Sequence, residues 1–152
     1  MRIGIISDTH GLLRPEAELA LRGVELIVHA GDVGSPDILM KLRAIAPVFA
    51  VRGNVDTEAW ARELPETTVV EAGGASFYVL HNLSELDLKP EAAKFDFVIS
   101  GHTHQAERAE RNGVIYFNPG SAGPRRFHLP VTLAVLDLSV RPWNPQVIQL
   151  VP

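Results

Sequence analysis

Short apolar runs that stop abruptly at a glycine or a polar side chain recur along the chain. Ile3 to Ile6 stops at Ser7-Asp8, and Leu26 to Ala30 stops at Gly31-Asp32. Val48 to Val51 stops at Arg52-Gly53-Asn54, and Phe97 to Ser100 stops at Gly101-His102. Runs this short, bounded by glycine, read as strands buried on both faces. Between them the spacing changes. Pro15 to Arg22 predicts a helix opened by proline, whose missing N–H has no partner in a first helical turn. Ser35-Pro36 opens a second helix, with Ile38, Leu39 and Leu42 at helical spacing.

The second half has a different texture. Thr67 to Glu71 and Ser76 to Leu80 flank Gly73-Gly74, a hairpin signal. Glu85 to Lys94 is a helix candidate that Pro90 weakens or kinks. Further strands are predicted at Ala106 to Glu110, Val114 to Phe117, Val131 to Asp137 and Pro145 to Leu150, with Asn112-Gly113 as a turn between two of them. No linker, repeat or low-complexity segment interrupts residues 1–152, so one domain is expected. It is α/β first and β-rich later. Two packed sheets with outer helices satisfy both halves, although the pattern leaves strand order open.

Composition narrows the function classes. At 152 residues, 46% hydrophobic and 21% charged, the chain can bury a core as a soluble domain. A net charge of -4 argues against stable nucleic-acid binding. The absence of cysteine removes disulfides, sulfur-ligated metals and thiol chemistry. It is compatible with a reducing compartment, and a cytoplasmic location is expected. The N-terminus reaches a carboxylate at Asp8 and reads as a buried strand, not a signal peptide. No apolar run approaches the roughly 20 residues that cross a bilayer, so no membrane partner is expected.

The strand ends carry the chemistry. They supply Asp8, His10, Asp32, Asn54, His81, His102 and His104. Taken singly, each has an ordinary reading. Asp8 can cap a helix, Asp32 can start an Asx-turn, Asn54 suits a left-handed turn, and His81 suits a hydrogen-bonded buried histidine. Five strand ends with the same habit, holding four of the six histidines, make a shared site the better reading. Ligands bind beyond the C-terminal ends of strands in open α/β sheets. Carboxylate, imidazole and one amide carbonyl, without sulfur, suit Mn²⁺, Zn²⁺, Fe²⁺, Co²⁺ or Ni²⁺. Seven donors are too many for one tetrahedral ion and enough for two that share a carboxylate.

Asp8-Thr9-His10, Gly31-Asp32, Gly53-Asn54-Val55-Asp56, His81 and Gly101-His102-Thr103-His104 resemble the five signature blocks of the calcineurin-like metallophosphoesterases. The short length and Asn118-Pro119-Gly120-Ser121 resemble the small YfcE-type phosphodiesterase branch. The likeness runs from the first strand to about Ser121. It implies a four-layer α/β/β/α sandwich, two mixed sheets flanked by helices. It also implies two divalent ions per chain, Mn²⁺ first among the metals above. One ion would take Asp8, His10, Asp32 and His104. The other would take Asp32, Asn54, His81 and His102, with Asp32 as the bridge. The activity implied is phosphodiester hydrolysis by a hydroxide bridging the ions, with Asp32, Asn54 and His81 as catalytic residues and a small phosphoester as substrate. The resemblance also allows a homo-oligomer. Two alternatives share the fold: a phosphomonoesterase or nucleotide pyrophosphatase on the same centre, and a non-catalytic scaffold of the retromer-subunit type. Retention of all seven donors favours the enzymes.

The sequence departs from the family pattern at two points. Val55 stands where many members carry histidine. Loss of such a proton donor removes about 10²–10⁴ in rate when the leaving group is poor. Weak activity on alkyl monoesters is therefore expected. His81-Asn82-Leu83 stands where the branch reads His-Gly-His, which bears on substrate choice. Asp56 is expected to hold Asn54 or a histidine in place. Asn54 and Arg125 are candidate substrate contacts, although paired Arg125 and Arg126 also suit a solvated surface. His29 reads as structural, and His128 as a surface residue. The stretch from Asp56 to Glu66 reads either as a flap near the site or as a helical turn packing Trp60 on the core.

Overall fold

Ten strands and two helices make up the regular structure of residues 1–152 in this computed structural model. In chain order they are β1 (Arg2–Ile6), α1 (Pro15–Ala20), β2 (Leu26–His29), α2 (Pro36–Arg43), β3 (Val48–Ala50), β4 (Thr67–Ala72) and β5 (Ala75–Leu80). Then follow β6 (Phe97–Ile99), β7 (Ala106–Arg111), β8 (Val114–Pro119), β9 (Thr132–Asp137) and β10 (Gln146–Gln149). Both helices begin with proline, as the sequence predicts.

The strands form two five-stranded sheets, ordered β10-β9-β1-β2-β3 and β4-β5-β6-β8-β7. Each is mixed. In the first, β1, β2 and β3 run parallel, while β9 is antiparallel to β1 and β10 to β9. In the second, β5, β6 and β8 run parallel, with β4 and β7 antiparallel on the two edges.

Alternation along the strands assigns the layers. Ile3 and Ile5 of β1 and Leu26 and Val28 of β2 meet Phe77 and Val79 of β5, Phe97 and Ile99 of β6 in a core between the sheets. Ile6 and Ile27 point the other way, into a core shared with Ala17 of α1, Leu21 just beyond it, and Ile38, Leu39 and Leu42 of α2. A Cβ on Gly4 would run into Leu21, so glycine lets this helical segment sit directly on β1.

The outer layer on the second sheet is thinner than the sequence suggests. Glu85 to Lys94 forms no helix: only Leu83–Glu85 makes a turn of 3-10 helix, followed by loop. Leu83, Leu86, Leu88 and Phe95 pack there on Tyr78, Leu80, Val98 and Val114. That apolar spacing does not describe a helix face, and Pro90 removes a ladder donor from the segment. Between Asp56 and Glu66 the chain forms a 3-10 turn, Ala59–Glu63, and Trp60 packs half-buried on the helix-side core. The packed-turn reading is the one that folds, and the flap is not. No helix is long and apolar enough to cross a membrane.

Candidate metal centre

Parallel strands of both sheets deliver their C-terminal ends to the same edge of the molecule. Loops there are laced by backbone hydrogen bonds: Asp8 N–H to Gly31 O (3.0 Å), His10 N–H to Asp32 O (3.0 Å), Gly101 N–H to His81 O (2.9 Å) and Ala122 N–H to Ser7 O (3.0 Å). The tail of β1 is thereby bonded to the tail of β2 and to the segment after β8. His81 follows β5, and His102 and His104 follow β6.

Five of the eight non-glycine residues with left-handed φ are candidate ligands: Asp8, His10, Asp32, His102 and His104. L-residues pay roughly 1–2 kcal/mol for that conformation. Strain concentrated on these residues marks a functional site.

Asp8 and Asp32 lie at the centre, both buried. Asp8 Oδ2 accepts from Ser7 Oγ (2.6 Å) and from the His102 backbone N–H (3.1 Å). That fixes the carboxylate so that Oδ1 faces His104 Nε2 at 3.3 Å, His10 Nε2 at 3.8 Å and His81 Nε2 at 3.9 Å. Asp32 is fixed likewise: the Val55 backbone N–H donates to Oδ1 (3.0 Å). Its Oδ2 faces His81 Nε2 at 3.2 Å and His10 Nε2 at 3.6 Å. The two imidazole nitrogens of His10 and His104 stand 3.3 Å apart. Asp8, His10 and His104 therefore form one compact donor group, and Asp8, Asp32 and His81 another. Asn54 and His102 stand on the exposed side, with Asn54 Oδ1 and His102 Nδ1 at 3.2 Å, and His102 belongs to neither compact donor group.

Three buried polar atoms in this centre have no aligned hydrogen-bond partner: Asp8 Oδ1, His81 Nε2 and His104 Nδ1. His81 Nε2 is close to Asp32 without lining up on it. Leaving such atoms unpaired costs roughly 1–3 kcal/mol each. A cation beside Asp8 Oδ1 and His81 Nε2 would satisfy both, whereas His104 meets Asp8 through Nε2 and its unpaired Nδ1 is the opposite ring nitrogen. The oxygen and imidazole donors fit a divalent metal.

Electrostatics point the same way. Burial alone would push the Asp8 carboxyl up, but His10, His104 and Ser7 against it, and His81 beyond, hold it far below the usual range. Burial also opposes ionisation of Asp32, and His81 with the Val55 N–H overcomes it, so this carboxyl is lowered too. Both carboxylates are thus ionised and ready to ligate. Burial would lower His81, yet the adjoining Asp32 carboxylate and the Ala30 carbonyl raise it. Its Nδ1–H donates to Ala30 O at 2.7 Å, which turns Nε2 toward the carboxylates.

Asp56 holds no histidine. It is buried and accepts three backbone N–H groups, from Val33 (3.1 Å), Gly34 (3.0 Å) and Gly53 (2.9 Å). The Asp32 loop is thereby tied to the Asn54 loop. His29 is structural and fully buried. Thr9 Oγ1 donates to Val33 O at 2.8 Å, so it accepts from His29 Nε2 at 3.0 Å, while Gly31 N–H donates to Nδ1 at 3.1 Å. Both ring nitrogens are committed to one neutral tautomer, and burial pushes its pKa down to about 4.

A groove of about 490 Å³ opens beside Asn54, His81 and His102. Arg52 and Asn82 line it, and the Arg52 guanidinium is held by Glu66 at 3.1 Å. Sequence reasoning passed over Arg52, although its place two residues before Asn54 was a signal. It also passed over Ser7 and the Val55 backbone, which act locally and leave no distinctive pattern. Asn118 anchors the last loop by donating to Gly101 O (2.9 Å) and Thr103 Oγ1 (3.2 Å). Arg125 lies elsewhere: its Nη2 donates to Pro152 O at 2.6 Å on the exposed surface, and it does not line the groove. Phe127 and His128 are exposed, the former 90% so.

The model of the calcineurin-like phosphoesterase superfamily domain matches residues 1–141. A probable metallophosphoesterase of Methanothermobacter thermautotrophicus is 41% identical over 136 residues, covering 80% of this chain and 77% of the relative. A solved archaeal phosphodiesterase superposes with a TM-score of 0.80 at 28% identity, covering 97% of this chain and 100% of that one. Vps29 from Entamoeba histolytica, complexed with Zn²⁺, superposes with a TM-score of 0.74 at 21% identity, covering 99% and 100%. That last likeness speaks to fold alone.

Proposed function

The chain belongs to the calcineurin-like phosphoesterase superfamily and is a metal-dependent phosphoesterase, and we propose that it hydrolyses small phosphodiesters at a pair of divalent ions. The observation that carries this reading is the convergence of Asp8, His10, Asp32, His81 and His104 into two adjoining donor groups, with Asp8 Oδ1 and His81 Nε2 buried and unpaired within them. Asp8, His10, Asp32 and His104 would hold one ion, and Asp32, Asn54, His81 and His102 the other. Asp32 takes the shared position on the family pattern; its Oδ2 faces histidines of both sets, as does Asp8 Oδ1, and Asp8 is the residue common to the two compact donor groups. Mn²⁺ is the first choice among Mn²⁺, Zn²⁺, Fe²⁺, Ni²⁺ and Co²⁺ for three oxygen and four imidazole donors. Such a pair, when bound, supplies Lewis acidity, activating water and neutralising charge on a phosphoryl group.

The chain's own groups prepare that chemistry. Ser7 and the His102 N–H keep Asp8 in one rotamer, and the Val55 N–H does the same for Asp32. Ala30 O keeps the His81 proton on Nδ1. Asn54 lines the groove, and its amide N–H would donate to a phosphoryl oxygen there. Valine at 55 supplies no proton to a departing alkoxide, which favours diesters with good leaving groups over alkyl monoesters.

Metal analysis of the purified protein, with hydrolysis assays on an aryl phosphodiester and the matching monoester, tests the proposal. Close to two ions per chain, and diester turnover abolished by chelator and restored by Mn²⁺, are the expected results. Full turnover after verified metal removal would overturn it. Tight metal binding with no phosphoester turned over would favour the scaffold alternative.

A further inference from the structure

A second cavity lies behind His102, on the outer face of the second sheet. It holds about 190 Å³ and opens between the Leu83–Glu85 turn and the β7–β8 pair. Ala109 pairs across the strands with Tyr116, and this small-against-large pairing leaves the tyrosine ring beside open space. Leu83 forms the facing apolar wall. The Arg111 guanidinium sits over the Tyr116 ring, 5.1 Å from its centroid, and braces it.

Two features set this cavity next to the groove beside the metal centre. Asn82, at the point where the sequence departs from the family pattern, lines both. Gly101 and Thr103 line the cavity, and His102 between them lines the groove. Asn82 Oδ1 is committed to Ser84 N–H (3.1 Å) and Ser84 Oγ (2.8 Å), which leaves its amide N–H groups to donate. Glu107 supplies an acceptor on the same lining.

We propose that this cavity is a subsite for one of the two ester groups of the substrate, and that it selects a planar aromatic or heteroaromatic ring. The proposal rests on the phosphodiesterase reading above. Whole-ligand pockets run to about 300–1,000 Å³, so this one takes a ring system and leaves the phosphate to the metal centre. The Tyr116 ring, with Arg111 over it, gives the lining aromatic surface for a ring to pack against. Glu107 and Asn82 add an acceptor and a donor to the lining, the polar functions a nucleobase edge would use, whereas a simple aryl ring would engage the walls alone.

Calorimetric binding of methylphosphonate, benzylphosphonate and thymidine 5′-monophosphate to the metal-loaded protein tests this. The readout is the affinity of each ring-bearing ligand relative to methylphosphonate. A ratio of roughly tenfold or more is expected for wild type, the scale of one ring contact. Ala109→Leu, which fills the space, should bring the ratio close to one. Tyr116→Ala, which removes the aromatic surface, should do the same if Ala109→Leu fails to fold. A ring preference confined to the nucleotide identifies the ring as a nucleobase, and one shared equally with benzylphosphonate identifies a simple aryl group. Equal affinities for all three in wild type, or ratios unmoved in a folded variant, would overturn the subsite. A wild-type protein that hydrolyses methyl p-nitrophenyl phosphate yet shows no ring preference loses only this proposal. One that binds metal and cleaves no diester loses the reading beneath it.

Discussion

Asp56 shows how a residue that faces no ligand can govern a site. Its carboxylate gathers three backbone N–H groups from two loops, those carrying Asp32 and Asn54. Asp56→Ala would leave three donors unpaired in a buried place, each worth roughly 1–3 kcal/mol before relaxation. We expect a stability loss of about 2–4 kcal/mol by urea denaturation and metal affinity reduced about 10–100-fold by titration. Wild-type behaviour in both measurements would show that the loops hold themselves. His29 makes a separable claim. Its folded pKa of about 4 lies below the ordinary value, so the native state prefers the neutral ring. The stability it contributes is complete above about pH 6.5 and is lost as pH falls toward 4, up to about 3 kcal/mol. His81 is raised, so its contribution lies in the opposite direction and is lost only as pH climbs through its folded pKa, above 6.5. Asp8 is lowered and acts below the ordinary carboxylate range. Urea midpoints of metal-free protein between pH 6.5 and 4.5 should fall in wild type and flatten in His29→Gln; parallel declines would remove His29 as the cause.

At the scale of elements, glycine serves two purposes that substitution separates. A Cβ on Gly53 would collide with the backbone and carboxylate of Asp32, although Gly53 does not adopt a left-handed φ. Gly53→Ala should therefore displace Asp32, costing about 1–3 kcal/mol in stability and weakening metal binding measurably. Gly113, at the β7–β8 turn, meets nothing within 4 Å but has φ +80°. Gly113→Ala should cost only about 1 kcal/mol and leave metal stoichiometry and turnover intact. Equal effects from the two variants would mean that packing at the strand ends is looser than the contacts indicate. The same contrast explains what was legible in the sequence. Strands ending in glycine and a donor were readable because burial on both faces makes them uniformly apolar, and β1, β2, β3 and β6 begin and end within a residue or so of expectation. The segment from Glu85 to Lys94 was not, because its composition suits a helix while its apolar residues pack at spacings set by the face of the second sheet. The fate of Trp60 likewise depended on whether a core lay within reach, which no local pattern records.

The whole molecule turns that local legibility into a centre. Donor types could be read one by one, but their convergence depends on two sheets presenting their strand ends at one edge, and strand order was not written in the pattern. The parts of the site that remained hidden are backbone groups: the N–H groups of Val55 and His102 and the carbonyl of Ala30 orient Asp32, Asp8 and His81 whatever side chain those positions carry. Position 55 joins the two kinds of information. Its side chain is a half-exposed valine beside Asn54, while its N–H is committed to Asp32. The metal centre can therefore be fully oriented and still lack a proton donor at that position for the leaving oxygen. Charge on that oxygen must then be carried by the leaving group itself. Among diesters sharing one retained group, kcat/KM should fall steeply as the leaving-group pKa rises. An alkyl leaving group should lag p-nitrophenolate by about 10²–10⁴ beyond what a proton donor would permit. Val55→His should flatten that slope while its backbone N–H keeps Asp32 in place, so metal stoichiometry stays constant. A shallow slope in the wild-type enzyme would mean that another group in the groove protonates the leaving oxygen, and the role assigned to valine would fall.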